Sequence, residues 1–215
     1  MDLYYAHQSG NSARAMFGLL EAGATFTPRL VDPKAQANRT ADYLAINPMG
    51  KVPALVDGTF RLWESNAINW YAAETHPASR LLPSSPQGRA WVQRWLSFQA
   101  GHVTPASAQV YRSINARVQA YWGALPDPAA AEAGRRELAR YLPVLEAALE
   151  GRDWLEGEFS IADIAFLPHF AYLAEGGFSF APYPRLAAWL DHLAARPAWR
   201  RTWELVFPDW RTPAA

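Results

Sequence analysis

The chain of 215 residues contains no cysteine. Disulfides, thiolate metal sites, iron–sulfur clusters and a protein-borne thiol nucleophile are therefore excluded, and any sulfur chemistry must use a sulfur brought in by a ligand. A surplus of charge is missing as well: 20 Lys and Arg stand against 20 Asp and Glu, which gives nucleic acid or anionic lipid no electrostatic footing. Lysine occurs only at Lys34 and Lys51, with arginine carrying the other cationic positions. The sequence also lacks an apolar run of about 18 residues, the length a membrane-spanning helix needs. Met1-Asp2-Leu3-Tyr4-Tyr5 puts an acid where a secretory signal places Lys or Arg, so no membrane partner is expected and the expected compartment is the cytoplasm. Charged residues make up only 19%, while hydrophobic residues reach 50% and aromatic residues 13%, with 10 Trp. That composition can bury a sizeable core, as one large domain or two small ones.

Along the chain, Leu3 to Ala6 reads as a short strand, His7 to Asn11 as a loop and Ser12 to Glu21 as a helix closed by Gly23. Phe26 to Val31 reads as a second strand, which completes the size and order of a βαβ unit. A short helix is expected near Thr40 to Leu44. Val52 to Val56 and Thr59 to Trp63 flank Asp57-Gly58, a pair that favours a tight hairpin because the turn requires positive φ. Glu64-Ser65-Asn66 then leads into a helix reaching Thr75. Prolines and serines from Pro77 to Pro86 mark a linker, and the pattern beyond it is helical. Trp91, Trp95, Phe98 and His102 form one stripe at helical spacing, Leu138, Leu142, Leu145 and Leu149 a second, and Leu186, Trp189, Leu190 and Leu193 a third. These patterns divide the chain into a small α/β domain over 1–77, a linker over 78–87 and an all-helical domain over 88–215. Ser160 and Asp163 have the spacing of a shortened capping box, and Pro168 is expected to kink the helix they begin.

His7, His76, His102, His169 and His192 are scattered without the paired spacing or acidic neighbour of a helical metal site, so no metal is expected. Neither a glycine-rich phosphate loop nor a G-x-S-x-G elbow occurs. Three places could carry chemistry. Ser9-Gly10-Asn11-Ser12 lies at the start of the first helix, where the dipole and unpaired N–H groups favour an anion; Ser9 or Ser12 could equally be the helix cap, with Ser12 the favoured one. Val52-Pro53 is either a turn proline or a cis bond that presents the Val52 backbone to an extended peptide. Glu64-Ser65 either begins a helix or holds the amino and carboxyl ends of an amino-acid-like ligand.

The ordered set Ser9-Gly10-Asn11-Ser12, Asn47-Pro48-Met49-Gly50-Lys51-Val52-Pro53, Glu64-Ser65-Asn66-Ala67-Ile68 and Ser160-Ile161-Ala162-Asp163 resembles the cytosolic glutathione transferases. The resemblance runs from Leu3 to about Trp199. It implies a thioredoxin-like α/β N-terminal domain that binds glutathione, an all-α C-terminal domain that shapes the second-substrate pocket, and a homodimer. Within the family the chain looks like the bacterial serine-type, nu-like members. Ser9 then takes the place of the serine that donates to the glutathione sulfur, and Asn11 that of an assisting asparagine. Zeta-type isomerases carry Ser-Ser-Cys here, against Ser9-Gly10-Asn11 in this chain. On the same resemblance Glu64 takes the γ-glutamyl ammonium, Ser65 the α-carboxylate, Val52 the cysteinyl backbone across cis-Pro53, and Lys51 the glycyl carboxylate.

The resemblance implies that glutathione is the co-substrate and supplies the thiol the chain lacks. The partner is a small hydrophobic electrophile, or a peroxide if the activity is that of a glutathione-dependent peroxidase or disulfide-bond reductase. A non-catalytic module of the same fold is the third reading, although such a scaffold has no use for Ser9, Val52-Pro53 and Glu64-Ser65. Trp95, Phe98, His102 and Tyr111 are candidates for the second-substrate pocket, although helical spacing alone favours core or dimer contacts. The tail carrying Trp199, Trp203 and Trp210 is expected to fold as a lid or to cover the helical domain.

Overall fold

The structure, a computed structural model, describes residues 1–210. Among the described residues two compact units are present, one built from Met1–Leu82 together with 197–210, the other from Pro83–Arg196.

In the first unit, β1 (Asp2–Tyr5), α1 (Gly10–Glu21) and β2 (Thr27–Leu30) form the expected βαβ unit, with Asp2 opposite Thr27 and Tyr5 opposite Leu30 in parallel register. A tight helical turn over Ala37–Arg39 and the short helix α2 (Ala41–Leu44) follow. Then come β3 (Ala54–Asp57), β4 (Phe60–Trp63) and α3 (Ser65–Thr75). The strands line up as β2-β1-β3-β4, with β3 antiparallel to both neighbours. The hairpin turn falls one residue later than the sequence suggests. Asp57 is still paired, opposite Phe60, and its carboxylate accepts from Tyr71 Oη at 2.7 Å, so Gly58 at φ 58° opens the turn.

α1 and α3 pack side by side over this sheet. Leu3, Met16, Phe17, Leu19, Leu55 and Ile68 are fully buried there, because one stripe of each helix and one face of β1 are apolar. The approach is close at Gly18, where a Cβ atom would lie 2.2 Å from Asn69 Oδ1. The Asn69 amide is itself fixed, since its Nδ2 donates to the Arg14 carbonyl at 3.0 Å.

The tryptophan tail does not cover the helical domain. Its helix α11 (Pro197–Val206) packs against α1 in the first unit, although the sequence pattern placed it with the helical domain. Trp199, Thr202, Trp203 and Val206, spaced i, i+3, i+4 and i+7, are buried as one stripe, and the Trp199 ring lies 5.4 Å from that of Phe17. Trp203, Phe207 and Trp210 stack behind it. The backbone closes as well: Gln8 N–H donates to the Val206 carbonyl at 2.9 Å, with Gln8 held at φ 55°.

The second unit is helical. It comprises α4 (Pro86–Phe98), α5 (Thr104–Ile114), α6 (Ala116–Trp122), α7 (Pro128–Ala148), α8 (Ile161–Ile164), α9 (Leu167–Glu175) and α10 (Pro184–Ala194). A π-helical turn over Gln99–Val103 joins α4 to α5 and shifts the phase of the helix. The buried stripe runs through Val92, Trp95, Leu96, Gln99 and Val103, at i, i+3, i+4, i+7 and i+11, leaving Trp91 and His102 exposed, which breaks the expected Trp91 to His102 stripe. Leu138, Leu142, Leu145 and Leu149 are buried as a continuous row. Ser160 and Asp163 form the capping box, yet Pro168 does not kink the helix. The helix ends at Ile164 and Pro168 sits in the first turn of α9, where a missing N–H costs nothing. Asp163 accepts four hydrogen bonds, from the Leu155 and Ser160 N–H groups, Ser160 Oγ and Trp189 Nε1. Burial pushes its carboxyl up to about 6, against the opposite pull of the four donors.

Candidate functional site

Ser9, not Ser12, caps α1, because the helix begins at Gly10. Ser9 Oγ accepts from Ser12 N–H at 3.2 Å, and Ser12 Oγ in turn accepts from Ala6 N–H at 3.2 Å. Each hydroxyl keeps a proton of its own to donate. Ser12 is fully buried, Ser9 is buried with 8% exposure and Asn11 is exposed, and Ser9 and Asn11 both lie at the positive end of α1.

The second place is built on a loop clamped from below. The Lys51 carbonyl accepts from Tyr43 Oη and from Asn47 Nδ2, both at 2.6 Å, while Asn47 Oδ1 accepts from Met49 N–H at 3.0 Å. Burial pushes the Tyr43 phenol up to about 12, so it stays a donor at every physiological pH. Asn38 Nδ2 donates to the Gly50 carbonyl at 2.7 Å, and the Arg39 guanidinium lies where a Gly50 Cβ would be, 2.6 Å from that point. The clamp leads directly into Val52-Pro53, whose peptide bond is cis, and from there into β3. Arg39 and Lys51 thus place two exposed cations around one short loop.

At the third place Glu64 has φ 72° and ψ 115°, a conformation that costs a non-glycine residue about 1–3 kcal/mol and that clusters at ligand-binding positions. It stands exposed immediately before α3, and the next residue, Ser65, is buried at the first position of that helix. The first and third places are joined by a residue the sequence reading missed. Arg14, on α1 and only 3% exposed, donates through Nη1 to Asn11 Oδ1 and to Ser65 Oγ, both at 2.8 Å. Its signal in the sequence was a single cation on a helix otherwise lined with Ala13, Ala15, Met16 and Phe17.

The first unit thus brings together a capped helix start, a cis-proline loop with two exposed cations and a strained acid before a helix. Comparison with known proteins gives the family. Residues 1–74 match the glutathione S-transferase N-terminal domain, and residues 114–197 match the C-terminal domain. Glutathione S-transferase 3 of Zea mays is 37% identical over 210 residues, covering 94% of this chain and 92% of its own. The chain belongs to the glutathione S-transferase family.

Solved structures of glutathione transferases superpose on most of the chain. Glutathione transferase F2 of Populus trichocarpa has a TM-score of 0.87 at 25% identity, covering 95% of this chain and 97% of its own. A glutathione transferase family member from Pseudomonas fluorescens, solved with two glutathione molecules bound, has a TM-score of 0.81 at 29% identity and covers 94% and 91%. The first unit is accordingly the thioredoxin-like domain and the second the all-helical domain of the glutathione S-transferase fold, and the protein is a glutathione S-transferase enzyme.

The four residues of the helical domain separate into two groups. Trp95 is buried and donates through Nε1 to Glu156, which also pairs with Arg94 at 2.8 Å. Tyr111 is buried too, with the Tyr172 ring 4.8 Å away and the His169 ring 5.8 Å away. Phe98 and His102 stand nearer the surface in a ring cluster with Tyr141, at 5.7 Å and 5.5 Å from one ring to the next. Tyr141 Oη donates to Glu137, which holds the Glu137 carboxyl below the usual range and raises the phenol.

Proposed function

We propose that this chain is a serine-type glutathione S-transferase that conjugates glutathione to small hydrophobic electrophiles in the cytoplasm. The observation carrying the reading is the state of Ser9: its oxygen is committed to Ser12 N–H, so its proton is the part left for a ligand at the positive end of α1. A thiol with an ordinary pKa near 8.5 must drop by about two units to be a thiolate at neutral pH, which takes roughly 2.7 kcal/mol of preferential stabilisation. One hydrogen bond to a charged group supplies ~1.5–3 kcal/mol and a helix start up to ~2 kcal/mol. Ser9 is sufficient as the main donor, with Asn11 as the second.

Glu64 takes the γ-glutamyl ammonium and Ser65 the α-carboxylate. Val52, ahead of Pro53, pairs with the cysteinyl backbone. Lys51 and Arg39 meet the glycyl carboxylate. Phe98 and His102 are the more accessible of the second-substrate candidates. The exposed Phe60 and Trp63 on the edge strand β4 support a homodimer, since an uncovered apolar sheet edge favours pairing.

The test is ultraviolet titration of the enzyme–glutathione complex. Ser9→Ala is expected to raise the thiol pKa by about two units and to lower kcat/KM at neutral pH by about a hundredfold. An unchanged pKa and full activity would move the donor role to Asn11. A second reading, reduction of glutathione mixed disulfides, is favoured by the Pseudomonas fluorescens relative that binds two glutathione molecules. Faster turnover of a glutathione mixed disulfide than of an aryl halide would select it.

A further inference from the structure

Most of the polar groups in the glutathione site are ambivalent. An asparagine amide can turn its oxygen or its nitrogen outward, and a serine hydroxyl can donate or accept. Glutathione presents the opposite situation at both places: a thiolate and an α-carboxylate only accept. An asparagine turned the wrong way would meet the sulfur with a carbonyl oxygen, and a hydroxyl turned inward would meet the carboxylate with lone pairs.

Arg14 removes the ambivalence. A guanidinium has five donors and no acceptor, so the Asn11 atom 2.8 Å from Nη1 has to be Oδ1 and the Ser65 oxygen at 2.8 Å has to be accepting. The end of the Asn11 amide turned away from Arg14 is therefore Nδ2, a donor, and Ser65 keeps its hydroxyl proton. The arginine is fixed in turn by its backbone, since the Arg14 carbonyl accepts from Asn69 Nδ2 at 3.0 Å, and Asn69 lies one turn beyond Ser65 on the same face of α3. We propose that Arg14 is a positioning residue that fixes Asn11 and Ser65 as hydrogen-bond donors, one toward the glutathione sulfur and the other toward its γ-glutamyl carboxylate. This rests on the glutathione site proposed above. The role assigned to the guanidinium is exerted through the two side chains it orients. Its positive charge, buried beside both, adds a field of the sign that both anions need.

The experiment compares Arg14→Met and Arg14→Lys with the wild type, reading glutathione affinity by calorimetry and the thiol pKa of the complex by ultraviolet titration. Arg14→Met should raise the glutathione KM about tenfold and the thiol pKa by about one unit, while kcat at saturating glutathione and high pH returns toward the wild-type value. Arg14→Lys, which keeps a donor-only cation, should recover most of the pKa. If Arg14→Met is folded by circular dichroism and leaves both quantities unchanged, the proposal is overturned. If that variant does not fold, a double-mutant cycle decides, because Asn11→Ala and Ser65→Ala leave Arg14 in place. Their effects on the glutathione dissociation constant should then depart from multiplication by about threefold or more, and simple multiplication overturns the link. Failure of the wild type to bind glutathione would instead remove the functional reading. Binding with a Ser9-dependent thiol pKa that ignores Arg14 would remove only this inference.

Discussion

A helix cap and a catalytic donor are compatible duties for one serine because they use different parts of the hydroxyl. The cap uses the oxygen of Ser9 and the sulfur would use its proton. The same division applies at Ser65, whose oxygen is taken by Arg14. Ser65→Ala is therefore expected to raise the glutathione KM by about tenfold, through loss of one hydrogen bond to a charged group, while the pH profile of kcat moves little. Steady-state kinetics over a pH series checks this, and a pure kcat effect would contradict it. At this scale much was legible in the sequence. Ser9, Asn11, Lys51, Val52, Pro53, Glu64 and Ser65 all lie in the first unit, and Ser9, Asn11, Glu64 and Ser65 stand at helix starts that short-range rules describe. Arg14 was not legible, since its meaning comes from a contact 51 residues away in sequence.

Among elements, the contact of α1 with α3 decides the geometry of the site, because one helix start holds Ser9 and the other holds Ser65. The closest point is Gly18 against Asn69. Gly18→Ala would gain helix propensity of about 1 kcal/mol, yet it drives a methyl group into an amide that cannot swing away without losing the Arg14 carbonyl. The clash is expected to win and to destabilise the domain by about 1–3 kcal/mol, measured as a lower denaturant midpoint. A midpoint at or above the wild-type value would show that the helices can separate at little cost. The strands, α1, α3 and the Leu138 row were legible in the sequence because they follow from periodicity. The Trp91 stripe was misleading because two overlapping stripes share Trp95: the buried face runs through Val92, Leu96, Gln99 and Val103, and the larger aromatic Trp91 lies outside it.

Across the whole molecule, the boundary between the domains is crossed twice by the chain. It leaves the glutathione domain near Leu82 and returns at Pro197. The return was hidden from a linear reading because amphipathic helices carry no address: Trp199 and Trp203 state that a face is buried and do not say against what. Trp199→Ala should remove the ring that covers Phe17 and cost about 3–5 kcal/mol. The loss should be seen in the unfolding of the glutathione domain, followed by protection of α1 amides from hydrogen exchange. Protection lost only in the helical domain would refute this placement of the tail.

The hydrogen bond from Gln8 to Val206 also bears on the order of synthesis. Domains on a ribosome commonly fold in the order in which they emerge. Here the first-made domain lacks one of its helices until the second has been translated in full, so the helical domain can fold while the glutathione domain waits with Phe17 uncovered. A nascent chain halted before Trp199 would carry the proposed glutathione-binding residues on an unfinished domain, and the loop after β1 would gain its backbone partner only when Val206 arrives.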